Sequence, residues 1–138
     1  MMPTIQTHSQ KFFGQALDDV QTVLRENKPG MRKIYGGLCH KFPIMVLTCG
    51  LCQAVAFVEA KAAGKDPDRV HAYKLLREHV AALLGVTPST LQDTVRNAPL
   101  SEYMRFTRCI RQAWVYYKRF AVSILKVEAG ADIDQEAP

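Results

Sequence analysis

Nine residues near the C-terminus constrain this chain more than any others. Tyr103, Phe106, Thr107, Ile110, Trp114, Tyr117, Ala121, Ile124 and Leu125 fall within one stripe at 100° per residue, the pattern of a helix with one buried face. Arg105, Arg108, Arg119 and Lys126 lie on the opposite side, with Arg111 and Lys118 at its margin. A helix spanning about residues 100–127 with so wide a stripe needs other helices to cover it, and the remaining sequence has the same periodicity. Over residues 5–27, Phe13, Leu17, Val20 and Leu24 share a face, and Lys28-Pro29-Gly30 stops the run. A second helix is expected from near Met31 to Phe42. Its Gly36-Gly37 pair is unfavourable by about 1 kcal/mol per glycine in a helix interior, which implies close approach by another helix or a ligand.

Pro43 is read as the start of a third helix over residues 43–63, apolar nearly all round and therefore placed in the middle of a bundle. Asp66-Pro67 opens a fourth as N-cap and first-turn proline, lined by Val70, Tyr73, Leu76, Val80, Leu83 and Leu84 and ended by Gly85. Thr87-Pro88 begins a short fifth, to about residue 97. No segment alternates like a strand. The expected fold is all-α, a compact single-domain bundle of five to six helices over residues 1–128, with an acidic tail at 129–138. The core is expected to include Leu17, Leu38, Leu51, Phe57, Leu76, Ile110, Trp114 and Tyr117.

With 138 residues and 48% hydrophobic content, one domain can bury a core without a disulfide or metal staple. Residues 42–58 carry no charge, but this run is short for a membrane span and contains Pro43, Gly50 and Gln53. Residues 1–10 have neither a basic start nor an apolar stretch. A cytoplasmic protein without a membrane partner is expected. The charge is lopsided. Of 13 acids, four (Glu128, Asp132, Asp134, Glu136) follow Val127 with no base among them, leaving 18 bases against nine acids in residues 1–126. Such an excess attracts polyanions, nucleic acid first among them.

Several motifs bear on chemistry. Cys49-Gly-Leu-Cys52 resembles a redox or metal pair, but no strand precedes it, and burial in an apolar helix is the expected role. Cys39, His40, Cys49 and Cys52 offer four zinc ligands with only one spacing that suits a knuckle. His8, His40, His71 and His79 are expected at the surface or at caps, since no acid or serine stands where a triad or metal pair requires it. Asp18-Asp19 point to different sides of their helix, and no glycine-rich phosphate loop is present. No catalytic residue, metal or cofactor is expected, and the chain does not read as an enzyme. What remains is cations among aromatics: Arg32, Lys33 and Lys41 near Tyr35, and Arg105, Arg108, Arg111, Lys118 and Arg119 with Tyr116 facing outward. The last helix holds six bases through Lys126 against the single acid Glu102. A merely solvated face usually mixes signs.

Tyr35-Gly36, Lys41-Phe42-Pro43-Ile44, Gly50-Leu51-x-Gln53-Ala54-x-Ala56-Phe57 and Ala60-Lys61 follow one another in a distinctive order. The helix over residues 73–84, Tyr103-x-x-x-Thr107-Arg108 and Lys118-Arg119-Phe120-Ala121 continue it. Together, over about residues 11–125, they resemble the small helical subunit of type III-B CRISPR effector complexes, the Cmr small subunit. Cys49 departs from the polar residue expected there, and the acidic tail lies outside the resemblance. The resemblance implies a non-catalytic all-α subunit, with several copies stacked end to end beside the backbone subunit that holds guide RNA. It also implies contact with the other Cmr subunits, the backbone and large subunits included, and with target RNA paired to the guide. By analogy with other RNA-guided effectors, base pairing selects sequence and protein supplies a positive channel. The residues expected to contact RNA are Lys11, Arg32, Lys33, Lys41, Arg105, Arg108, Lys118 and Arg119. For Lys41, the expectation includes free backbone N–H groups of a helix starting at Pro43.

Three other readings stand beside this one, the plainest being a helical scaffold whose basic surface meets only acidic protein. A DNA-binding regulator would use residues 87–97 as a recognition helix, with Gln92, Arg96 and Asn97. A CxxC metal or redox protein would use Cys49 and Cys52.

Overall fold

The structure, a computed structural model, describes residues 6–130, and the tail beyond Gly130 lies outside the described residues. Within them the chain forms α1 (His8–Arg25), α2 (Pro29–Cys49), α3 (Leu51–Ala62), α4 (Pro67–Leu84), α5 (Leu91–Asn97) and α6 (Leu100–Ser123), with a 3-10 turn at Pro88–Thr90 before α5. The described residues contain no strand, and the all-α expectation holds.

Local chemistry sets most of the ends. Thr7 caps α1 through a reciprocal pair: the Gln10 N–H donates to Thr7 Oγ1 at 3.1 Å and the Thr7 N–H to Gln10 Oε1 at 2.8 Å. Asp66 caps α4 by accepting from the Asp68 N–H at 3.2 Å, with Pro67 in the first turn. At its other end Gly85 takes φ 75°, the Gly85 N–H reaches Ala82 O, and the Val86 N–H reaches Ala81 O. That is a Schellman ending.

The break expected at Pro43 lies instead at Gly50. Proline removes one donor and crowds the preceding turn, yet a helix can run through it when packing on both sides holds its axis. Here Leu38, Cys39, Phe42 and Val46, on both sides of Pro43, are all buried. Gly50 adopts φ 87°, ψ 160°, a conformation open to glycine alone, and the apolar residues around it conceal that signal. Two consequences follow. Lys41 is interior to α2, so no helix N-terminus lies beside it. Nor is the uncharged run buried throughout, since Ile44 is 58% and Leu47 66% exposed.

The core is centred on Trp114, which stacks on Tyr117 with ring centroids 4.1 Å apart and lies 5.2 Å from Phe42. Of the expected core, Leu38, Leu51, Leu76, Ile110, Trp114 and Tyr117 are buried, while Leu17 and Phe57 are half-buried at its edge. Helix α6 ends four residues earlier than its periodicity implies. Lys126 turns the chain at φ 62°, and Val127 folds back so that its N–H donates to Ala121 O at 2.9 Å. Val127 then lies against Gly36, where an added Cβ would sit 2.5 Å from the valine side chain. The close approach implied by Gly36-Gly37 is therefore made by the chain's own C-terminal segment.

Two histidines expected at the surface are buried. His40 Nε2 lies 2.9 Å from Val127 O, binding the same segment. The Tyr35 hydroxyl is 2.5 Å from His79 Nδ1, and His79 Nε2 is 3.8 Å from Asp19. Asp19 also accepts from the Tyr117 hydroxyl at 2.5 Å and from the Gln15 amide at 3.1 Å. Polar groups this deep persist because partners from four helices meet them. Burial holds His79 below its ordinary value of 6.5, outweighing the upward pull of Asp19 and Glu78. Desolvation of the charged form is the larger effect.

Candidate nucleic-acid interface

The outer face of α6 is built by periodicity alone. Residues 104, 108, 111, 115, 118, 119 and 122 are exposed because Phe106, Ile110, Trp114, Tyr117 and Ala121 turn the opposite side into the core. Packing then divides this face into two edges, one against α1 and one against α2.

Along the α1 edge, His8, Lys11 and Phe12 meet Arg105, Arg108, Cys109 and Gln112 around a groove of about 490 Å³. Lys11 and Arg108 have no ion-pair partner among the described residues. Arg105 does: its Nε donates to Glu102 Oε1 at 2.7 Å, a second donor from the same guanidinium reaches that oxygen, and the guanidinium lies 5.1 Å from the Phe106 ring centroid. Its positive charge is therefore partly neutralised within the helix. His8 and Phe12 meet edge to face, with centroids 6.1 Å apart. Burial raises the Cys109 thiol above its ordinary value, opposed by nearby Arg105.

Along the α2 edge, Arg111, Trp114, Val115 and Lys118 face Pro43, Ile44 and Leu47 around about 220 Å³. This second edge is more apolar, because Ile44, Leu47 and Val115 are each more than half exposed. A third groove of about 250 Å³ collects Arg32 and Lys33 with Pro29, Leu125, Lys126 and Val127.

The structure therefore brings Lys11, Arg105 and Arg108 together, joins Arg32 to Lys33, and sets Lys118 beside Arg111. Arg119 is exposed on α6 apart from these three grooves, and Lys41 is half-buried and engaged with other groups. Tyr116, expected to face outward, packs edge to face on Phe13 of α1 with centroids 5.7 Å apart. Phe12 and Gln112 are not among the residues expected at the site, His8 is expected only at the surface or at a cap, and Lys126 only on the outward side of the last helix. Gln112 stands one turn beyond Arg108, at i+4, and that spacing alone would have placed it on the same edge.

The motifs of the alternative readings are placed differently from their expectations. Cys49 and Cys52 are exposed, not buried, because Gly50 separates them: Cys49 closes α2 and Cys52 lies in the first turn of α3. The Cys52 backbone N–H donates to the Tyr103 hydroxyl at 3.0 Å, so α6 caps α3. Cys39 is the buried thiol, and burial raises its pKa well above the ordinary value. Among the described residues no group of three or more His, Cys, Asp or Glu side chains is placed to hold a metal ion. The segment proposed as a recognition helix is a 3-10 turn followed by seven-residue α5, and Arg96 there is paired with Asp93 at 3.1 Å. No helix among the described residues is long and apolar enough to cross a membrane.

Fold and surface together define a small helical protein with an apolar interior and cations gathered along one outer helix. The chain matches the CRISPR-associated Cas_Cmr5 family over residues 8–124, and it belongs to that family. It is 30% identical over 128 residues to the CRISPR system Cmr subunit Cmr5 of Thermus thermophilus, a match covering 88% of this chain and 99% of that protein. The crystal structure of a CRISPR-associated Cmr5 family protein from the same organism superposes with a TM-score of 0.71 at 31% identity. That match covers 89% of this chain and 100% of the other. The resemblance to Cmr small subunits read from the sequence is upheld.

Proposed function

We propose that this chain is a non-catalytic subunit of a cytoplasmic Cmr CRISPR effector complex, stacked in several copies beside the backbone subunit and holding target RNA paired to the guide. The observation that carries the proposal is the outer face of α6, where Arg108, Arg111, Lys118 and Arg119 have no acidic partner among the described residues. Cations left unpaired on a rigid helix suit a phosphate backbone. Their attraction carries no sequence information, as holding any target requires. The exposed Ile44, Leu47 and Val115 of the α2 edge suit contact with neighbouring subunits, where burial of apolar surface stabilises association. The α1 edge is then the RNA side.

Native mass spectrometry of material co-purified on a terminal tag tests this. The expected result is a large assembly holding a short guide RNA and several copies of this chain. Recovery of a lone 15.5 kDa chain at moderate salt, with the other subunits present in the cell, counts against it.

A further inference from the structure

Three features of the α1–α6 groove go beyond what a phosphate backbone needs. The first is its size: about 490 Å³ of concave space falls within the range of small-ligand sites, room for a base as well as a phosphate. The second is the corner made by His8 and Phe12, which offers aromatic surface beside Lys11 and Arg108. The third is Gln112, whose amide both donates and accepts hydrogen bonds. The other cationic grooves lack this combination. The Arg32–Lys33 groove has no aromatic residue, and the ring lining the α2 edge belongs to Trp114, which is fully buried.

We infer that the α1–α6 groove is a seat for one unpaired nucleotide of an RNA strand, with Lys11 and Arg108 on its phosphate, the His8–Phe12 corner against the base, and Gln112 at the base edge. The inference rests on the RNA-holding function proposed above and adds to it one nucleotide of the held strand that is not paired to the guide. An unpaired base is required because a base within a duplex is covered on both faces by its neighbours, and single-stranded or splayed bases are the ones proteins stack upon. Gln112 can turn its amide to meet either a donor or an acceptor, so the seat accepts any base. A subunit that leaves sequence selection to base pairing needs that tolerance.

The test uses the full chain, isotope-labelled for amide NMR and titrated with a single-stranded RNA hexamer, the same hexamer with abasic ribose throughout, adenosine monophosphate and inorganic phosphate. Intact RNA is expected to shift amides of residues 8–12 and 105–112, and to bind about tenfold more tightly than the abasic strand, the size of one base–aromatic contact. Phe12→Ala should reduce intact RNA to the abasic affinity while leaving the abasic strand unchanged. Phe12→Leu, which keeps the apolar bulk at this half-buried position, should do the same if the ring itself matters. Peptide-resolved alkylation of Cys109 should slow when intact RNA is bound. Equal affinity of intact and abasic strands overturns the nucleotide seat and leaves the RNA-holding function standing. Shifts confined to the Arg32–Lys33 groove also overturn it. Tighter binding of the mononucleotide than of the strand identifies a free nucleotide as the ligand and overturns the RNA seat. No binding by either strand at millimolar concentration removes both this seat and RNA contact through the α1 edge.

Discussion

The two faces of α6 share one backbone and obey opposite rules. On the inner face Ile110, Trp114, Tyr117 and Ala121 are 0% exposed and are held by stacking, apolar contact and the Tyr117–Asp19 hydrogen bond. On the outer face the cations touch little, and Arg105 alone among them pairs with an acid among the described residues. The inner face is therefore costly to alter and carries stability. The outer face is cheap to alter and carries whatever binds. Substitutions one residue apart on this helix are expected to act on different properties.

The largest expected effect is Trp114→Ala, which removes the central ring of the core and should cost about 3–5 kcal/mol, read as a lost or strongly lowered thermal transition. A Trp114→Ala protein that melts normally would break the comparison outright. Tyr117→Phe keeps the ring and leaves Asp19 short of a donor, at about 1–3 kcal/mol by chemical denaturation. Gly36→Ala probes the face of α2 that receives Val127. Overpacking there should cost about 1–3 kcal/mol and should be relieved by Val127→Gly in the same chain, which removes the valine Cβ that the new methyl would meet.

His79 sharpens the comparison through pH. Its folded pKa is depressed, chiefly by burial, so the unfolded chain binds the proton more readily. Stability is then complete above the ordinary value of 6.5 and is lost as pH falls through that value toward the depressed one. Melting temperatures measured from about pH 7.5 downward should drop through this window, and His79→Gln should flatten the drop. Arg108→Glu has the smallest expected effect on stability, within about 0.5 kcal/mol. It should nonetheless weaken RNA retention and reduce the salt dependence of binding by about one unit of slope. If Arg108→Glu melts the protein, that face is not outward.

The capped ends were legible because their chemistry is local. Asp66-Pro67 and Gly85 act on neighbours within a turn, and both stand where the sequence places them. The Pro43 boundary was misread because proline is compatible with both a helix start and a tolerated interior position, while Gly50 lay hidden in an apolar run. Cys49 and Cys52 were misplaced for the same reason, since moving the break moves them to exposed positions beside it. His40 and His79 defied expectation because their partners, Val127 and Tyr35, stand 87 and 44 residues away. Spacing along the chain conveys nothing about such pairs.

By itself the sequence determined the fold class, the inner and outer sides of α6 in outline and the sign of the surface, because periodicity, capping and charge act over a few residues. Only the tertiary structure decided which cations share a groove, that Val127 closes over Gly36, and that Tyr103 caps α3. Those outcomes depend on how helices cross in space. Close packing selects one such arrangement from many that satisfy the same local pattern.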